Sequence, residues 1–159
     1  MKQIWFIICS LCLLLSCAAC GSTADSDGKL CLTVDSVIVE MHGEAEPVLE
    51  ALGQPLSCTE EASCAFEGVD KTYSYPGFYL QTYPKEGKEY LSALWFADDT
   101  YKTFEGIGIG STLEEAQQVY GEDAYNGINA LLVETGDAKL VLRVEDNLIS
   151  GVQLQAILR

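Results

Sequence analysis

Apolar positions along this 159-residue chain follow a period of about 3.6 residues and then a period of 2, and the pair of rhythms occurs twice. The helical rhythm comes first each time. Ala45, Val48, Ala51 and Leu52, and 68 residues later Leu113, Ala116, Val119 and Tyr120, stand at i, i+3, i+6 and i+7, one face of a short helix. Gly53 and Gly121 stop both helices. In the second copy Ser111 or Thr112 can cap the helix while Glu114 or Glu115 reaches back; the first copy offers only Glu44, Glu46 and Pro47 in its first turn, a weaker start. Val39 to Gly43 and Ile107 to Ser111 lead into the helices as strands.

After each helix the period of 2 predicts three strands: Thr72 to Tyr75, Phe78 to Tyr83 and Tyr90 to Phe96, then Ala130 to Glu134, Lys139 to Val144 and Leu148 to Ile157. Pro76-Gly77, Lys85 to Lys88, Gly136-Asp137 and Glu145 to Asn147 supply the turns. The last strands match as well, Leu91-Ser92-Ala93-Leu94 against Ile149-Ser150-Gly151-Val152, now 58 residues apart because copy one carries an insertion, Gln54 to Lys71. The reading is an α+β chain, a tandem repeat of two units (31–98 and 99–159), each one helix packed on a small antiparallel sheet in the order strand, helix, three strands.

Alternation in the strands assigns faces. Val152, Leu154 and Ala156, with Leu140, Leu142 and Val144, should point at the helix, and Gln153, Gln155, Lys139 and Arg143 away from it. Projected onto copy one, Leu94 and Phe96 belong to the core, while Tyr79, Tyr83 and Trp95 stand where copy two has Lys139, Arg143 and Gln153. Large amphipathic rings on a rigid sheet are the usual material of binding hot spots, so these three are the candidate binding face. They would serve equally well to fill a junction between the units.

Ahead of the repeats lies a different kind of segment. Lys2, the apolar run Ile4 to Leu15 and the small residues before a cysteine form a secretory signal (1–19), too short to span a bilayer, followed by a polar tether (20–30). The layout is that of a bacterial lipoprotein. Cys17 follows Leu14-Leu15-Ser16 and Cys20 precedes Gly21-Ser22, so either can be the lipidated residue. The mature chain is then extracytoplasmic and held on the cell membrane by its lipid.

The formal net charge is −15, and cleavage removes Lys2 and no acid. So acidic a chain is repelled by phosphate backbones and anionic headgroups, which argues against a nucleic-acid partner. The acids are dispersed, as on a solvated surface.

The tandem units, with their Gly-small-x-x-Glu helix starts and apolar-Gly ends, resemble the β-lactamase-inhibitor-protein fold and the small outer-membrane lipoproteins of the SmpA/OmlA type. Ser63-Cys64-Ala65-Phe66-Glu67-Gly68, Asp70-Lys71-Thr72-Tyr73 and Ile109-Gly110-Ser111-Thr112 are similar to a family of surface lipoproteins of Gram-positive bacteria. The first resemblance implies binding through an open sheet face, the envelope lipoproteins a part in an assembly. Neither implies a catalytic residue.

Candidates for chemistry are few. His42 is the only histidine, which leaves no histidine pair for a metal and no ready Ser-His-Asp or Cys-His arrangement; it reads as a polar residue at a strand-to-helix junction. Gly106-Ile107-Gly108-Ile109-Gly110 lacks the G-x-G-x-x-G spacing of a nucleotide loop, so its isoleucines read as core and its glycines as close approaches. Asp25 to Gly28 starts like a calcium loop, but Ser36 stands where the bidentate acid is needed. Neighbouring acids such as Asp98-Asp99 and Glu114-Glu115 point apart, which makes a hydrolase the distant reading. Cys58 and Cys64 fall in the insertion of an exported chain, where they either form a disulfide or remain thiols.

The sequence thus predicts a non-enzymatic, lipid-anchored binding module with no cofactor or metal and a protein or cell-wall component as partner. The alternative is a scaffold subunit of an envelope assembly.

Overall fold

The computed structural model describes residues 29–158; the signal segment, with Cys17 and Cys20, lies outside the described residues. In chain order the elements are β1 (Cys31–Val34), β2 (Val37–Glu40), α1 (Ala45–Leu52), β3 (Ser57–Ala62), β4 (Val69–Tyr75), β5 (Phe78–Lys85), β6 (Lys88–Phe96), α2 (Leu113–Tyr120), a 3-10 turn (Glu122–Ala124), β7 (Ala130–Thr135), β8 (Ala138–Glu145) and β9 (Leu148–Ala156).

Both helices start and stop where their sequences dictate. At α2 the Thr112 hydroxyl accepts from the Glu115 amide at 3.2 Å and the Glu115 carboxylate accepts from the Thr112 amide at 2.8 Å, a complete capping box. These bonds, backbone first, hold the Glu115 carboxyl below its usual range. Glu44 at the start of α1 makes no capping bond and pairs instead with Lys88 at 2.6 Å. Gly53 and Gly121, at φ 74° and 93°, end the helices and return their amides to Leu49 and Gln117. One detail of the helical faces differs from the expected pattern. Ala51 and Val119 point outward, and the packed positions are Ala45, Val48, Leu49 and Leu52 in α1 and Leu113, Ala116 and Tyr120 in α2. The i, i+3, i+4, i+7 stripe spans a narrower arc than i+6 allows.

The tandem of helix-on-sheet units is not what forms. The protein is mostly β, 15% helical, with seven strands in one antiparallel sheet ordered β3-β4-β5-β6-β9-β8-β7 and a separate β1-β2 hairpin. The final strands of the two repeats pair with each other, Ala93, Leu94 and Trp95 against Gln155, Leu154 and Gln153. Kept apart, the four strands of copy one and the three of copy two would leave the N–H and C=O groups along the β6 and β9 edges unpaired, and edge-to-edge fusion satisfies them. Fusion also merges the interiors. Leu32, Val34 and Val39 of the hairpin, Phe78, Leu80 and Leu94 of one half and Leu140, Leu142 and Leu154 of the other belong to a single buried cluster, with α1 and α2 packed against it.

The two copies are unequal in other ways. Ile107 to Ser111 forms no strand, only isolated bridges (Lys102 to Gly108, Thr112 to Leu148). Gly108 is a close approach, since a Cβ there would stand 2.9 Å from the Tyr101 carbonyl oxygen, and Ile107 is buried beside it. The inserted segment of copy one contains β3, an edge strand exposed at every residue.

The shared Leu-Ser-Ala-Leu and Ile-Ser-Gly-Val motifs encode a bulge. In β6 the partners of Gln81 and Thr82 are Ala93 and Leu91, leaving Ser92 unpaired; in β9 those of Arg143 and Val144 are Gly151 and Ile149, leaving Ser150 unpaired. The extra residue shifts the parity of the strand. Leu91 and Leu94, or Ile149 and Val152, stand three apart and yet all point inward.

Candidate functional site

Among the described residues, helices and hairpin occupy one face of the large sheet and leave the other open. Register places Tyr79, Trp95 and Gln153 side by side across β5, β6 and β9 on that open face, with Gln81, Ala93 and Gln155 as the next row. Alternation sends Phe78, Leu80, Leu94 and Phe96, all buried, to the other side. The Tyr79 and Trp95 rings stack at 5.3 Å and 19°, and both are half-buried. They are not roofed by the second repeat, because that repeat continues the sheet sideways.

Tyr83 shares the face but not the exposure. It is 5% exposed, stacked on Phe66 at 4.7 Å and flanked by Tyr90 at 5.8 Å. Of the three predicted binding aromatics, Tyr79 and Trp95 therefore stand together and Tyr83 belongs to a buried layer. Phe66 sits in the turn between β3 and β4, where no periodicity connects it with β5.

His42 closes this layer. It occupies the junction of β2 and α1 at φ 63°, with Nδ1 3.1 Å from the Tyr83 hydroxyl and Nε2 3.1 Å from the Asp137 carbonyl. A carbonyl only accepts, so in the neutral ring Nε2 carries the proton and Nδ1 accepts from Tyr83. The histidine thus ties the first half of the sheet to the β7-β8 turn.

Beside the aromatic pair, Gln81, Trp95, Phe96, Arg143, Ser150, Gly151, Val152 and Gln153 line a shallow groove of about 420 Å³. Arg143 is its sole charge. A larger depression of about 590 Å³ between the 99–111 loop and α2 mixes Lys102 with Asp99, Glu105 and Glu115, and Glu115 is committed to its cap. A third of about 390 Å³ is lined by Glu44, Glu46, Glu50 and Glu89 around Lys88.

Glu89 is an acid with several partners. It pairs with Lys71 and accepts from the Tyr73 hydroxyl at 2.8 Å and the Thr82 hydroxyl at 3.1 Å. Burial by itself would raise its pKa, but the donors from Lys71, Tyr73 and Thr82 outweigh it and hold the carboxyl below its usual range. The same bond holds the Lys71 ammonium above its own. With its oxygens so engaged, Glu89 is a structural clamp between β4, β5 and β6.

Cys58 and Cys64 carry free thiols, both exposed. The disulfide between them is not formed. Cys58 lies near the start of β3 and Cys64 beyond its end, and at about 3.3 Å per residue the extended strand holds their Cα atoms well outside the reach of a disulfide, about 7 Å. Burial pushes the Cys58 thiol up. Among the described residues no group of His, Cys, Asp and Glu is arranged to hold a metal ion, and no helix is long and apolar enough to cross a membrane. Compared with protein-family models, with curated proteins and with solved structures, the chain matches none.

Proposed function

We propose that the protein is an extracytoplasmic bacterial lipoprotein, anchored through Cys17 or Cys20, that binds a protein or another envelope component through the open face of its sheet and performs no catalysis. The observation that carries this reading is the stacked, half-buried Tyr79–Trp95 pair on the sheet face that the described helices and hairpin leave open. Rigid strands hold the rings in place, so little side-chain freedom is lost when a partner covers them. Gln81 and Gln153 beside them each offer a donor and an acceptor, the polar rim that such a centre needs.

The binding face is tested by photocrosslinking in the native membrane. A benzophenone side chain at Tyr79 should give a discrete adduct, and one at Glu114, on the exposed side of α2, none. Trp95→Ala should weaken that complex by about 1 to 3 kcal/mol and, because the ring is only half-buried, cost the fold less than the roughly 3 to 5 kcal/mol of a tryptophan buried in a core. An adduct from position 114 with none from position 79 refutes the assignment.

The anchor is tested by growth on labelled palmitate. Label should enter the protein, and either Cys17→Ala or Cys20→Ala should abolish it. Label that survives both substitutions, or never enters, refutes the lipoprotein reading.

A further inference from the structure

We propose that the partner of this face is a protein that presents a carboxylate, from Asp, Glu or a chain terminus, to Arg143 at the edge of the Tyr79–Trp95 pair. The inference rests on the binding-face reading and adds the chemistry of what is bound.

Three observations carry it. In a chain of net charge −15 the groove beside Trp95 contains no acid, and its one charge is positive. The Arg143 side chain makes no hydrogen bond or ion pair with the described residues, whereas Lys139 on the same face has Glu134 as a partner at 3.8 Å. The neighbours of Arg143 across the strands are Ala130 and Gly151, and its stem lies over Gly151, where a Cβ would meet its Cδ at 3.5 Å. The sheet thus leaves room for a long side chain and supplies no counter-charge for it.

A guanidinium presents a planar fork of donors that matches a carboxylate in two parallel bonds. The net charge of −15 repels a polyanion, which selects for one localised negative charge over a dense one. Trp, Tyr and Arg are also the residue types enriched at protein hot spots, and here Trp95 and Arg143 line one groove while Tyr79 stacks on Trp95. A protein surface with an acid beside an apolar side chain satisfies all three together.

The test is selection of random displayed peptides on the full-length protein in detergent micelles. Wild type should enrich Asp or Glu next to apolar residues. Arg143→Glu should lose those peptides by about ten- to hundredfold in affinity, the worth of a charged hydrogen-bonded pair, and select Lys or Arg instead. Arg143→Lys should keep the preference for acids but bind more weakly, because the two-pronged contact is lost. Since Arg143 is exposed, unchanged melting of these variants is expected.

Selected peptides that lack acids, or that bind Arg143→Glu undiminished, overturn the proposal. If such peptides still require Tyr79 and Trp95, only the carboxylate is wrong; if they ignore all three residues, the binding face is wrong as well. Arg143-dependent binding of an acidic oligosaccharide with no peptide enrichment also overturns the proposal, in favour of a glycan.

Discussion

Phe78→Ala is expected to remove about 3 to 5 kcal/mol of folding stability, the usual cost of truncating a buried aromatic residue. Phe78 is wholly buried, stacked on Tyr75 at 4.9 Å and 9° and met edge-on by Tyr101 at 5.4 Å and 88°. Tyr101 in turn donates its hydroxyl to Asp35 at 2.8 Å, so this cluster joins the sheet, the loop after β6 and the turn of the β1-β2 hairpin. Packing this close leaves a cavity that the fixed strands cannot collapse. For a domain of this size the melting point should fall by about 10 °C or more. Phe78→Leu, which keeps most of the volume, should recover much of the loss, and Val119→Ala, on the exposed side of α2, should change little. Thermal unfolding followed by circular dichroism decides it. A Phe78→Ala protein that melts with wild type would mean that the fused core is not what holds the fold.

Glu89→Ala should cost about 2 to 3 kcal/mol at neutral pH, because it leaves the Lys71 ammonium and the Tyr73 and Thr82 hydroxyls without their shared acceptor. The side chain is 29% exposed, so water relieves part of the penalty and the effect stays below that of a fully buried pair. Its pH dependence follows from the sign of the shift. The folded-state pKa of Glu89 lies below its ordinary value of 4.5, so the stabilisation is complete above about that pH and is lost as pH falls through the lower folded-state value. Lys71 is raised above its ordinary 10.5, so its share persists through neutral pH and is lost only as pH rises through that higher folded-state value. Wild type should accordingly exceed Glu89→Gln in denaturant midpoint at pH 7, and the two should converge in acid. A difference that stays constant from pH 7 into strong acid would refute the clamp.

Much of the local structure was legible in the chain. Thr112 and Glu115 specify their cap, Gly53 and Gly121 the helix ends, and alternation the inward and outward residues of β5 and β8 and of β6 and β9 beyond their bulges. The hairpin strands β1 and β3 were not legible, for different reasons. Cys31 to Val34 is too short to show a period, and Ser57 to Ala62 is exposed on both sides, so no apolar alternation marks it. Its strand character comes from pairing with β4, which a one-dimensional pattern does not record.

The candidate site divides along the same line. Residue types and parity place Tyr79, Tyr83 and Trp95 on one face, but parity says only which side a ring leaves from. Whether it meets water depends on what arrives from elsewhere: Phe66 and His42 cover Tyr83, whereas among the described residues no helix or loop is stacked over the half-buried Tyr79–Trp95 pair. The free thiols of Cys58 and Cys64 likewise follow from an extended β3 and not from their spacing.

By itself, then, the sequence determined the elements whose causes are local: caps, turns, helical stripes and the in-out alternation, each set by residues within a few positions of one another. It also contained the repeat. What the repeat builds was decided only in three dimensions, because the unpaired edges of the four strands of copy one and the three of copy two have no signature of their own in the chain and are satisfied most fully by each other. That pairing of β6 with β9 turned two expected units into one sheet with one core, and left Arg143 and Trp95, 48 residues apart, lining the same groove.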